Sequence, residues 1–124
     1  MFVTQTAKAV ALATTDEVLR VPTSDATTVG IEVKNSGANA LDAFEVWGKV
    51  TEGSNDQLLL SLAANYTTPV YPCIRASASP VALAAGASVW LCIDATGFDS
   101  IGIRASSAVG ATTLDLFANA KRAK

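Results

Sequence analysis

Along most of this chain apolar residues recur at every second position, and Gly, Pro, Asn and Ser clusters interrupt them about every ten residues. A period of two puts alternate side chains on opposite faces of an extended strand. An amphipathic helix needs apolar residues every three or four positions, and no long stretch offers that spacing. Residues 17–21 read as a short strand ended by Pro22. Residues 28–34 are a strand with Val29, Ile31 and Val33 on one face, closed by the turn Asn35-Ser36-Gly37. Residues 43–51 follow, with Phe44, Val46 and Val50 pointing one way, and then the polar loop 52–56. Leu58, Leu60 and Leu62 are in phase on 57–62. The last three strands are 88–94 with Val89, Leu91 and Ile93 inside, 100–105 with Ile101 and Ile103, and 112–118 with Leu114 and Leu116.

Residues 66–82 break the rhythm. Pro69, Pro72 and Pro80 each lack the N–H that a sheet ladder needs. The stretch reads as a long connection with one short strand near 73–76, the kind of crossing found in Greek-key folds. The expected fold class is therefore all-β: an antiparallel two-sheet β-sandwich, jelly-roll or Greek-key like, of about eight strands. The expected organisation is an extended N-terminal arm over 1–16, a sandwich over 17–118 and a basic C-terminal tail over 119–124. The alanine-rich window 6–13 contains Thr and Val and has no cap, which favours the arm over a helix.

At 124 residues the chain suits one domain and needs no disulfide or metal to hold a core. Charged residues are 16% of it, against roughly 25% in an average soluble domain. A chain with a surface so poor in charge can stay monomeric, but such surface more often is covered by a partner. The net charge of −2 offers no electrostatic case for nucleic acid or an anionic membrane as a partner. Lys121, Arg122 and Lys124 form either a solvated tail or a small basic arm for an acidic partner. The apolar stretch 9–13, preceded only by Lys8, is too short for a signal-peptide core, so the expectation is a chain made and used without crossing a membrane. Cys73 and Cys92 are read as two free, buried thiols, with a disulfide between neighbouring strands as the alternative.

The second face of each strand should be polar if it meets water. On 43–51 it carries Glu45, Trp47 and Lys49; on 88–94 it carries Trp90 and Cys92; on 112–118 it carries Phe117. Leu59 is also out of phase with its neighbours. Trp47, Trp90, Phe117 and Leu59, with Tyr66 and Tyr71 of the long connection, are the candidate interface residues, because aromatic rings anchor protein contacts.

Catalytic chemistry is sparse. The chain has no histidine, so the usual general base and the commonest metal ligand are missing. It has no nucleophile elbow, P-loop or dinucleotide fingerprint. Asp94 with Asp99, and Asp42 with Glu45, read as solvated loop carboxylates. Residues 52–56 are oxygen-rich but lack the spacing of a calcium loop. Asn65-Tyr66-Thr67 matches a glycosylation acceptor, which without a secretion signal is read as chance. The expectation is a protein that is not an enzyme and has no catalytic residues, cofactor or metal.

Three stretches together resemble a known group. They are Ile31-Glu32-Val33-Lys34-Asn35-Ser36-Gly37 running on to Ala43-Phe44-Glu45-Val46, Leu83-Ala84-Ala85-Gly86-Ala87-Ser88-Val89-Trp90, and Ile101-Gly102-Ile103-Arg104-Ala105-Ser106-Ser107. The set resembles small β-sandwich minor virion proteins of tailed bacteriophages, over residues 28–118. That resemblance implies a capsid cement or decoration protein, a homo-oligomer with a trimer favoured, on the capsid surface of a virion assembled in the host cytoplasm. Its partner would be the major capsid protein. On this reading the arm over 1–16 drapes across a neighbour. Two alternatives stay open. One is a carbohydrate- or ligand-binding module with Trp47, Trp90, Tyr66 and Tyr71 as a stacking platform. The other is a head–tail connector or tail subunit.

Overall fold

The computed structural model of the protein describes residues 2–12, 16–24, 26–63, 74–77, 80–81, 83–107 and 112–121. These residues form nine strands: β1 (Phe2–Leu12), β2 (Asp16–Pro22), β3 (Thr28–Asn35), β4 (Ala43–Lys49), β5 (Gln57–Ala63), β6 (Ile74–Ala76), β7 (Ser88–Asp94), β8 (Ser100–Ser106) and β9 (Thr112–Lys121). One sheet runs β1-β9-β3-β7-β6 and the other β2-β8-β4-β5. Every pairing is antiparallel. β1 lies along β9, β2 along β8, β3 along β7 and β4 along β5. The chain is thus a long antiparallel hairpin rolled up so that its strands alternate between two sheets. That is a jelly roll of eight strands, with β6 as a three-residue addition beside β7. Phe2–Leu12, expected as an arm, is extended and is hydrogen-bonded along β9 as the outer strand of the first sheet.

The inner faces follow the alternation. Val29, Ile31 and Val33 of β3, Phe44 and Val46 of β4, and Leu91 and Ile93 of β7 are buried, as are Ile101 and Ile103 of β8 and Leu114 and Leu116 of β9. Each such side chain contributes roughly 1.5–3 kcal/mol of transfer free energy on burial. Alanine also does core duty, since Ala95, Ala105, Ala118 and Ala120 are buried.

Three positions depart from the expected phase. Val50 is 56% exposed, because β4 ends at Lys49 and the chain turns away before Val50 can reach the core. Leu58 is only half-buried and Leu59 is buried, the reverse of the alternation. The cause is a β-bulge. Val46 faces Leu60 while the next residue, Trp47, faces Leu58, so Leu59 is an extra residue that turns inward. Gly48 leaves room for it. A Cβ there would lie 3.1 Å from Leu59 Cδ1 and 2.8 Å from Phe98 Cδ1.

The turn Asn35-Ser36-Gly37 is tied into the body of the protein. Asn35 is fully buried. Its Nδ2 donates to the carbonyls of Asn39 and Leu83, both at 2.9 Å. Its Oδ1 accepts from the Gly37 N–H at 3.0 Å and the Thr112 hydroxyl at 3.1 Å. Gly37 passes so close to Thr112 Oγ1 and Thr113 N that a Cβ there would collide with both. Cys92 is a free, half-buried thiol, more exposed than expected because it lies on the outer face of β7. Cys73 lies outside the described residues.

Candidate functional site

The two sheets present their outer faces to opposite sides of the molecule, and the candidate aromatics divide between them. Trp47 is on the β2-β8-β4-β5 sheet. Trp90 and Phe117 are on the β1-β9-β3-β7-β6 sheet. Leu59 belongs to the core and is not a surface anchor. Tyr66 and Tyr71 lie outside the described residues. The stacking platform of Trp47 with Trp90 is therefore not assembled on one face.

The face around Trp47 is closed by the chain's own charged side chains. Arg20, on β2, lies across Gly102 of β8. A Cβ on Gly102 would come within 2.6 Å of the guanidinium carbon and 2.8 Å of Glu17 Oε1. Arg20 pairs with Glu17 through Nη2. The same Nη2 donates to Asp56 Oδ2 at 3.0 Å, and Nη1 donates to the Ser100 hydroxyl at 3.1 Å. Arg104 Nη2 donates to the same Asp56 oxygen at 3.1 Å. The Arg104 guanidinium also stacks over the Trp47 ring, 4.3 Å from its centroid. The Trp47 Nε1–H donates to Glu45 Oε1 at 3.1 Å. Burial by itself would lower the pKa of Arg20, but the hydrogen bonds and charges of Glu17 and Asp56 outweigh it and hold it above the ordinary value. A depression of about 510 Å³ remains beside this lattice, lined by Lys49, Glu52 and Asp99 as well as the paired residues.

The opposite face is open. Trp90 is 51% exposed. Its backbone is pinned to the segment after β6, with Ser77 N–H donating to Trp90 O at 2.9 Å and Trp90 N–H donating to Ser77 Oγ at 3.0 Å. In register, Glu32 of β3 stands between Trp90 of β7 and Phe117 of β9. One step along the sheet, Gly30 stands between Cys92 and Asn119. A Cβ on Gly30 would meet nothing within 4 Å, so the glycine floors a notch. The notch measures about 390 Å³, with Glu32, Trp90, Cys92, Phe117 and Asn119 around it. Glu32 is exposed, and no donor or cation among the described residues meets its carboxylate.

The alternation placed Trp90 and Phe117 on the outer face correctly. It missed Asp56, Arg20 and Arg104 as the lid over Trp47. The available signal was two arginines at outward strand positions with a carboxylate in the 52–56 loop. It missed the notch too, although a glycine inside a strand marks a place where something can approach the backbone.

No protein-family model matches the sequence, and no curated protein matches it either. Solved structures share the fold. The SPBc2 prophage-derived protein YomS superposes with a TM-score of 0.54 at 10% identity, covering 97% of this chain and 96% of that one. The PBSX exported protein XepA superposes with a TM-score of 0.54 at 21% identity. That match covers 96% of this chain but 38% of XepA, so the chain spans little more than a third of it. At such identities the likeness is one of fold. The sandwich suggested by residues 28–118 is thus shared with a prophage-derived protein along nearly the whole of both chains.

Proposed function

We propose that this chain is a structural protein of a phage virion, a capsid cement or decoration protein that binds and stabilises the shell of the major capsid protein. The observation that carries this reading is the contrast between the two outer faces. On one, Arg104 lies over Trp47 and is bridged to Arg20 through Asp56, and the other leaves Trp90 half-exposed beside an open notch. A large exposed indole on an otherwise ordered sheet is the kind of anchor that protein interfaces use. The fold shared with a prophage-derived protein supports the setting. Catalysis has no part in this role, and binding energy is its only product.

Co-sedimentation with shells of the phage's own major capsid protein tests the proposal. The wild-type chain should pellet with the shells. Trp90→Ala should weaken that binding by about 2 kcal/mol, or roughly 30-fold, as removal of a central anchor does. Trp47→Phe should leave it unchanged, because Trp47 already lies under Arg104. Wild-type protein that stays in the supernatant, or equal binding by Trp90→Ala, would overturn the reading.

A further inference from the structure

The sealed face shows what the open face lacks. On the Trp47 face there are two arginines: Arg20 lies over a strand glycine, Gly102, and pairs with Glu17 and Asp56, while Arg104 stacks over Trp47 and pairs with the same Asp56. The open face has groups of the same kinds in a different register, with Trp90 opposite Glu32 and two residues along from the position opposite Gly30. It has a strand glycine with space above it, Gly30, a tryptophan on the adjacent strand, Trp90, and a carboxylate between two aromatic rings, Glu32. The arginine is the missing part. Lys34 and Arg75, on the same face, are exposed and form no ion pair with Glu32 among the described residues.

We infer that the notch over Gly30 binds an arginine side chain of a partner protein, with its guanidinium stacked on Trp90 and paired with Glu32. The chemistry is specific. A guanidinium is planar, stacks on aromatic faces and offers a fork of N–H donors that matches a carboxylate. An aliphatic side chain would fill the notch but leave Glu32 without a partner. A pyranose could stack on Trp90, but a neutral ring leaves the charge of Glu32 uncompensated. The inference deepens the virion reading by naming what the docking face recognises, and it is tested apart from any capsid.

The indole N–H signals of the purified protein give the readout, assigned with Trp47→Phe. The probe is the peptide acetyl-Gly-Arg-Gly-amide. Its controls are the same peptide with citrulline, which keeps the shape and loses the charge, and the sugar chitotriose. The arginine peptide should shift the Trp90 indole signal saturably in the millimolar range and leave that of Trp47 in place. The citrulline peptide, or Glu32→Gln titrated with the arginine peptide, should bind roughly three- to tenfold more weakly. Gly30→Val, whose Cβ meets nothing within 4 Å, should abolish the shift while the core amide signals stay unchanged. No Trp90 shift with the arginine peptide would overturn the inference. So would an equal response to citrulline, or a response to chitotriose alone. Loss of shell binding in Trp90→Ala without an arginine response would sink this inference and spare the virion reading. An arginine response without shell binding would do the opposite.

Discussion

Asn35 joins the start of the β3–β4 connection to the loop before β7 and to the first residue of β9. Both of its side-chain amide hydrogens and its carbonyl oxygen are used; the bonds to Leu83 and Thr112 are buried and those to Asn39 and Gly37 part-buried. A buried group stripped of its partner costs about 1–3 kcal/mol, which exceeds the net gain from making the bond. Asn35→Ala strands the Leu83 and Asn39 carbonyls and the Thr112 hydroxyl together. It should lower stability by about 3 kcal/mol in urea unfolding, with the unfolding slope unchanged. Asn35→Asp should be at least as damaging, since it sets a carboxylate against two carbonyl oxygens. The turn was legible from Asn35-Ser36-Gly37. The four-way bonding of Asn35 was not, because Leu83 and Thr112 are 48 and 77 positions away.

Strands were the most legible elements, and their inner faces followed from a side-chain period that each strand carries by itself. Phase failed at β5, where the bulge admits Leu59 to the core. Which of two adjacent leucines turns inward depends on β4, and specifically on the space over Gly48. The N-terminal element illustrates the same dependence. Residues 2–12 have no marked alternation to show which partner they would pair with, yet β1 runs in register with β9 from Phe2↔Lys121 to Leu12↔Thr112, interrupted by one irregularity. Deleting residues 2–12 would leave one edge of β9 with unpaired N–H and C=O groups. The truncated chain should lose at least about 3 kcal/mol of stability and become prone to association through that edge. Thermal and urea unfolding of the truncation, beside its native mass, check this. A truncated chain as stable as the whole would mean that β1 contributes little to the fold.

At the scale of the molecule, the jelly roll has two outer faces of unlike character, and the proposed role uses only one. A cement or decoration protein that clamps neighbouring capsid subunits is expected to act as a homo-oligomer, with a trimer favoured. Light scattering or sedimentation should give three times the chain mass at micromolar concentration. A monomer would argue for a ligand-binding module, and a six- or twelve-fold ring for a connector. The sequence by itself determined the all-β class, the strand positions and most of the inward residues, because period-two alternation is a local property. It also placed Trp47, Trp90 and Phe117 outside the core. Only the tertiary structure decided that Trp47 is covered and Trp90 is not. That outcome rests on Arg20 and Arg104 reaching Asp56 across 36 and 48 positions of chain. No pattern within one strand encodes such a meeting, and it leaves Trp90 as the more exposed of the two indoles.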